Sequence, residues 1–328
     1  MSAARRSPLA ERARGGDRRA LARLLTEVEN RTPAGEAALR ELYPQAGRAH
    51  LVGVTGAPGS GKSTLVAALV GEARAAGRPV AVIAIDPSSP ITGGAILGDR
   101  VRMQVHAGDS DVFIRSMAAR GHAGGLAAST AAAAAVLDAS GFALIFIETV
   151  GTGQSEVEVA SIADTTVVVQ TPEMGDEVQA IKAGLLEVAD IVVVNKSDRP
   201  GADRAASQLR AMLTVGARHD REAGGRPRPK RPEVLLASAL TGGGVAELLA
   251  ALDRREAALR TNGSAGSNTT ALKRAEAQLS GILAQRVGER LREPRRAVQR
   301  ERTLRAVAAH ELDPYSAADE LLESLRDG

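Results

Sequence analysis

The eight residues Gly56-Ala57-Pro58-Gly59-Ser60-Gly61-Lys62-Ser63 constrain this chain more than any other stretch. They spell G-x-x-x-x-G-K-S, directly after the apolar run Leu51-Val52-Gly53-Val54 and directly before the helical pattern Leu65-Val66-Ala67-Ala68-Leu69. Strand, glycine loop and helix in that order make a cradle for phosphate oxygens. The glycines let successive backbone N–H groups turn inward, Lys62 supplies a point positive charge for the outer phosphates, and the Ser63 hydroxyl is placed for Mg²⁺. A helix opening at Ser63 adds its N-terminal dipole to the same anion site. The remaining chain fits an α/β sheet that would present such a loop. Short β-rich runs at 51–55, 79–85, 111–114, 143–148, 165–170, 190–194 and 234–237 alternate with alanine-rich helical stretches. Several are continuously apolar, as expected of parallel strands covered on both faces.

Composition narrows the classes of function. With 328 residues, 44% of them hydrophobic, the chain can bury a large core. It has no cysteine, which excludes disulfides, thiolate zinc sites and thiol nucleophiles and accords with a reducing cytoplasm. His50, His106, His122, His219 and His310 stand too far apart for a His-x₃-His metal pattern. The net charge is only +3 and aromatics make up 2%, so there is little to stack on bases and no nucleic-acid partner is expected. No run of eighteen apolar residues occurs, hence no membrane span is expected. The arginine-rich N-terminus is interrupted by Glu11, Asp17, Glu27 and Glu29 and lacks the apolar core of a signal peptide, so no targeting segment is expected.

Outside the β-rich region, Leu21, Leu24, Leu25 and Val28 form one stripe of a helix capped by Asp17. Residues 217–232 are Gly-, Pro- and Arg-rich and read as a basic surface insertion. Residues 261–270 are Asn-, Gly-, Ser- and Thr-rich and read as a flexible linker. Beyond them Leu272, Leu279, Ile282, Leu283, Val287 and Leu291 make a stripe on a helix that needs a partner surface. Asp313-Pro314 is an N-cap followed by proline at the first helical position, opening a last helix. The expected division is an N-terminal helical extension over 1–45, a nucleotide-binding domain over 46–260 and a C-terminal helical region over 261–328.

Three further segments carry chemistry. Asn195-Lys196-Ser197-Asp198 follows the apolar strand run ending at Val194. The Asp198 carboxylate can accept from guanine N1–H and the exocyclic amine, whereas adenine presents an acceptor at N1 and leaves that carboxylate desolvated. Such a mismatch costs about 1–3 kcal/mol per unpaired group, so guanine is the expected base. Ser238-Ala239-Leu240, after the last strand run, is placed as the second base-contacting loop, with backbone N–H groups for the guanine oxygen. Glu148 ends a strand run and Gly151 follows three residues later, the arrangement that senses a γ-phosphate: Glu148 for Mg²⁺, the Gly151 N–H for phosphate. Asp86 and Asp99, at the end of a strand run and of a glycine-rich loop, are each a candidate for the Mg²⁺ region or a helix cap. No glutamine directly follows Gly151, so Gln154, Asp86 and Glu148 stand together as candidates for positioning the attacking water.

In these motifs taken together the chain resembles the MeaB/ArgK/MMAA-type GTPases, P-loop proteins that escort adenosylcobalamin-dependent acyl-CoA mutases. The segments that carry the resemblance include VTGAPGSGKSTL, AIDPSSPITGGAILGDRVRM, FIRSMAARGHAGGLA, ETVGTGQSEVEV, PEMGDEVQAIKAGLLEVADIVVVNKSD and DPYSAADELL. The resemblance implies that Gly56 through Thr64 hold the phosphates of GTP or GDP. It also implies that Asp86 and Asp99 belong to the Mg²⁺ and first-switch region and Glu148 to Gly151 to a second switch; with the motif reading, Ser63, Asp86, Asp99 and Glu148 are the candidate Mg²⁺ donors and Lys62, Glu148, Asp86 and Gln154 the candidate catalytic residues. Asp176, Glu177, Gln179 and Lys182 would form a third switch that relays nucleotide state. It further implies a cytoplasmic homodimer that gates cofactor loading and protection of an acyl-CoA mutase, most often methylmalonyl-CoA mutase. Two alternatives remain open: a P-loop kinase or ATPase of the arginine/ornithine transport type, and a metallochaperone GTPase. The first needs a phospho-acceptor base that no motif supplies, the second Cys or His clusters that the chain lacks. Ala57 stands where a ParA-like ATPase has an additional lysine.

Overall fold

The computed structural model describes residues 7–87, 104–106, 108–119, 125–149, 154–172, 185–219, 232–261 and 266–326. Its centre is a sheet of seven strands: β1 (His50–Thr55), β2 (Val80–Pro87), β3 (Val112–Ala119), β4 (Leu144–Thr149), β5 (Thr165–Gln170), β6 (Ile191–Val194) and β7 (Glu233–Leu236). They lie in the order β3-β2-β4-β1-β5-β6-β7, and every neighbouring pair is parallel. The uninterrupted apolar runs are explained by this arrangement, since β4, β5 and β6 are buried along their whole lengths.

Alternation of side chains splits the core into layers. Val52, Val54, Val82, Phe146, Val167 and Val193 face α4 (Lys62–Ala75) and α8 (Val245–Thr261). Ala81, Ile83, Met117, Ile145 and Ile147 face the opposite layer, made by α5 (Gly125–Ala139), α6 (Gln154–Ile162) and the N-terminal helices. A smaller cluster seats α7 (Ala202–His219) against β6 and β7 through Ala206 and Leu209. Each fully buried Leu, Ile, Val or Phe contributes about 1.5–3 kcal/mol.

The N-terminal helix expected from Leu21, Leu24, Leu25 and Val28 is α2 (Arg18–Glu29), and the Asp17 carboxylate caps it by accepting from the Arg19 and Ala20 N–H groups. All four apolar residues are buried in the cluster that contains Val136 and Leu137 of α5. Two more helices flank it, α1 (Pro8–Arg14) and α3 (Pro33–Leu42). Both begin as Asp313-Pro314 does: Ser7 and Thr32 are side-chain N-caps, each followed by proline. That signature was available in the sequence. The chain enters β1 over Asp138 of α5, whose carboxylate accepts from the N–H groups of Gly47, Arg48 and Ala49.

Beyond shifts of one or two residues at several strand ends, three segments differ from expectation. β3 continues to Ala119 rather than ending near 114, because Arg115, polar and out of place in an apolar run, pairs with Glu29 of α2 at 2.7 Å. The supposed linker over 261–270 is largely helical: α8 runs to Thr261, and α9 (Gly266–Leu291) already starts at Gly266. Small polar residues that weaken a helix interior are favoured in its first turn, so their clustering marked a helix start as readily as a linker. α7 likewise carries residues 217–219 of the supposed basic insertion, while 220–231 lie outside the described residues. α9 packs on α5, and Arg286 pairs with Glu36 of α3 at 2.8 Å. Its Leu272, Leu279 and Leu283 remain exposed. The chain ends in α10 (Ala297–Ala308) and α11 (Pro314–Glu323), the latter capped by Asp313 as expected. Among the described residues, no helix is long and apolar enough to cross a membrane.

At the amino end of β1 the buried His50 ring places Nε2 2.9 Å from Thr165 Oγ1 and Nδ1 3.8 Å from Glu256 Oε2. Burial holds its pKa below the ordinary histidine value, against the opposing pull of Asp164 and Glu256. With the folded pKa lowered, the unfolded chain takes up this proton first as pH falls. The stability associated with neutral His50 is therefore complete above about pH 6.5 and declines as pH drops toward the folded pKa. Urea unfolding at pH 7.5 and 5.5 should show a larger loss for wild type than for His50→Gln; identical losses would contradict this assignment.

Candidate functional site

Parallel strands deliver their carboxyl ends to one edge of the sheet, and ligands of open α/β sheets bind outside that edge. β1 sits in the middle with β4 on one side and β5 on the other. The loop after β1 carries the glycine motif, β2 ends at Asp86-Pro87, β4 ends at Glu148-Thr149, β6 runs into Asn195, and β7 runs toward Ser238. Motifs separated by nearly two hundred residues thus share one edge.

The phosphate loop is held in shape by its glycines and its lysine. Gly56 has φ 138°, and a Cβ there would run into the Val169 carbonyl oxygen of β5. Gly61 has φ 87°, and a Cβ there would strike the Asn195 side-chain amide. Both positions need glycine for two reasons, left-handed backbone and close approach. Lys62 opens α4, is buried, and its ammonium donates to the carbonyls of Gly56 at 2.8 Å and Ala57 at 3.1 Å. A cation therefore sits at the rim of the loop, beside the helix N-terminus.

Ser63, on the first turn of α4, donates its hydroxyl to Glu148 Oε1 at 2.5 Å. Both residues are buried. In register, Glu148 lies between Val54 of β1 and Ala84 of β2, and Asp86 is two residues further along β2 on the same face. Asp86 is also buried. One hydroxyl and two carboxylates gathered beside a phosphate loop are hard oxygen donors, the chemistry that suits Mg²⁺ rather than a softer metal. At the next level Thr149 Oγ1 donates to Thr55 Oγ1 at 3.3 Å, tying β4 to β1 where the phosphate loop begins.

Asn195 joins the loops. Its side-chain amide donates to the Ser60 carbonyl at 2.8 Å, and its Oδ1 accepts from the Ala239 N–H at 3.1 Å. One buried side chain thus connects the phosphate loop, the end of β6 and the loop after β7. The next residue, Lys196, has φ 59°, a left-handed conformation that costs a non-glycine residue about 1–3 kcal/mol. Beyond that turn Asp198 is exposed, and its Oδ1 accepts from Ser238 Oγ at 2.5 Å. The Ser238 hydroxyl holds the Asp198 carboxyl below the usual aspartate range. Ala239 is half-buried and Leu240 is 85% exposed, so the loop presents an apolar tip next to the carboxylate.

The structure brings together Gly56 through Thr64, Asp86, Glu148, Asn195, Lys196, Asp198 and Ser238 through Leu240. Asp99, Gly151, Asp176, Glu177, Gln179 and Lys182 lie outside the described residues. Gln154 begins α6. The sequence reading gave Asn195 no task of its own within N-K-x-D; its link to Ser60 and Ala239 is what that reading missed, and only its place directly after a strand hinted at it.

A family model described as methylmalonyl-CoA mutase-associated GTPase MeaB matches residues 21–296. The chain belongs to the MeaB family of GTPases. A Pyrococcus abyssi protein named as a GTPase is 45% identical to it, over 98% of this chain and 97% of that protein. GTPase ArgK of Escherichia coli is 39% identical over 77% of this chain and 76% of its own. A crystal structure titled LAO/AO transport system kinase aligns over 97% of this chain and 96% of that one, with 27% identity and a TM-score of 0.65. The P-loop architecture, with helical regions at both ends, is common to this MeaB-family GTPase and that neighbour.

The Asp198–Ser238 contact is open to direct measurement. Carboxyl NMR titration should place the Asp198 pKa below about 3.9, the ordinary aspartate value, and Ser238→Ala should raise it by removing the donor. An unchanged value in Ser238→Ala would remove that hydroxyl as the cause.

Proposed function

We propose that this MeaB-family GTPase hydrolyses GTP to GDP and phosphate with Mg²⁺, and that its nucleotide state gates adenosylcobalamin loading and protection of an acyl-CoA mutase. Methylmalonyl-CoA mutase is the first candidate partner. The reading is carried by one juxtaposition: the phosphate loop, the Ser63–Glu148 pair and the Asn195–Asp198 segment share one edge of the sheet. They do so in a chain that a mutase-associated family model matches over 21–296.

In this reading Gly56 through Thr64 wrap the phosphates with backbone N–H groups, and Lys62 releases its two loop carbonyls to face the outer phosphates. Ser63, Asp86, Glu148 and Asp99 are the oxygen donors for Mg²⁺, which when bound would neutralise charge on the β- and γ-phosphates. Asp198, its carboxylate hydrogen-bonded by the Ser238 hydroxyl, accepts from guanine, while Ser238, Ala239 and Leu240 border the base. Glu148, Asp86 and Gln154 are the candidates for orienting water, and the Gly151 N–H for contacting the γ-phosphate. Asp176, Glu177, Gln179 and Lys182 form the switch that transmits nucleotide state to the mutase. The exposed Leu272, Leu279 and Leu283 of α9 support a homodimer formed through the C-terminal helices. Absence of cysteine accords with a cytoplasmic setting.

Turnover of GTP and ATP should be compared in wild type, Lys62→Ala and Asp198→Asn, with and without an adenosylcobalamin-dependent acyl-CoA mutase. Wild type should hydrolyse GTP at least about tenfold better than ATP, since one mispaired charged group is worth more than 1.4 kcal/mol. Asp198→Asn should lose that preference, Lys62→Ala should lose turnover, and the mutase should accelerate the wild type. Equal use of both nucleotides by the wild type would refute guanine recognition, and indifference to the mutase would refute the partner.

A further inference from the structure

Ser116 lies on β3 within Phe113-Ile114-Arg115-Ser116-Met117, a segment that the nucleotide reading leaves without a role. Side chains alternate across a strand. Arg115 and Met117 face the layer of the N-terminal helices, where Arg115 pairs with Glu29 and donates to Thr26 Oγ1 at 3.1 Å. Val112, Ile114 and Ser116 therefore face α4, the helix that carries Ser63. Register sets Ser116 beside Ala84, and Ala84 beside Glu148. These three form one transverse row on the α4 side, and Asp86 is the next residue of β2 on that side.

Ser116 Oγ is buried and has no hydrogen-bond partner among the described residues. A hydroxyl in that position costs free energy until something bonds to it. Two strand spacings separate Ser116 from Glu148, about 10 Å between Cα atoms, and the residue between them, Ala84, carries only a methyl side chain. A carboxylate at one end of this row and a serine hydroxyl at the other, with Asp86 one step further along β2, present polar groups to the same face, and such groups are commonly joined through water. Glu29 fixes the height of this row, because it both pairs with Arg115 and accepts from the Ala118 N–H at 3.4 Å, on the strand residue opposite Asp86.

We propose that Ser116 is a positioning residue whose hydroxyl holds a water against the Glu148 and Asp86 carboxylates and so orders the outer hydration of the Mg²⁺ they would bind. The inference rests on the reading of Ser63, Asp86 and Glu148 as the Mg²⁺ donors. It assigns to β3 a part in cation affinity, distinct from nucleotide contact, and it makes the α2–β3 clamp a support for that part.

The test is release of a fluorescent GDP analogue from the full-length protein, followed across a Mg²⁺ titration and in excess EDTA. Ser116→Ala should require about three- to tenfold more Mg²⁺ for half-maximal slowing of release, the effect of one lost hydrogen bond. In EDTA its release rate should match wild type, and Ser116→Thr should restore the Mg²⁺ dependence. Glu148→Gln, run in parallel, should shift the titration further. Wild-type Mg²⁺ dependence in Ser116→Ala, beside a shifted Glu148→Gln, would overturn the role of Ser116 while leaving the Mg²⁺ reading intact. No shift in either would overturn both. Equal acceleration of release with Mg²⁺ and with EDTA would make Ser116 a packing residue and overturn the inference. Ser116→Cys, close in volume and a weak donor, serves if the alanine variant does not fold.

Discussion

The Asn195 side chain is the contact on which the site depends. It is buried at the end of β6, donates to a carbonyl of the phosphate loop and accepts from the backbone of the loop after β7. Gly61 is glycine partly because this amide occupies the space where a Cβ would stand. Removing the amide would leave a buried carbonyl and a backbone N–H without partners, each costing about 1–3 kcal/mol. The geometry of the phosphate loop and that of the loop after β7 are thereby set together rather than independently.

Around that joint the sheet supplies position and the carboxylates of Asp86 and Glu148, and the first turn of α4 supplies the Lys62 ammonium and the Ser63 hydroxyl. Parallel pairing delivers five loops to one edge, and register puts Glu148 between β1 and β2 at the level where Ser63 starts α4. The buried carboxylates Asp86 and Glu148 are on the β2–β4 side, and the Asp198–Ser238 pair is on the β6–β7 side. The two halves meet over β1, at the glycines. A nucleotide lying across them would span the crevice where strand order reverses, the usual place for a ligand in an open α/β sheet.

Most of this was legible in the sequence because it is written in local terms. Seven apolar runs gave seven strands, and β5 was read without error at both ends, since a buried strand of Val and Thr between polar turns is unambiguous. The glycine loop and N-K-x-D were visible as spacings. What could not be read was long-range. Nothing local indicates that Arg115 extends β3 by meeting Glu29, eighty-six residues earlier, or that Asn195 reaches back to Ser60. The helix start at Gly266 was misread for a different reason: Ser, Asn and Thr favour both linkers and first turns, and only packing of α9 on α5 decides between them.

Family membership and geometry converge from different directions, since the match over 21–296 owes nothing to the hydrogen bonds and those bonds owe nothing to the match. Calorimetric binding of GDP to wild type and Asn195→Ala tests most directly whether this one side chain couples the phosphate loop to the loop after β7. GDP binding at least about tenfold weaker is expected in the variant, which should still unfold cooperatively. GDP affinity equal to that of the wild type in a folded Asn195→Ala protein would contradict it.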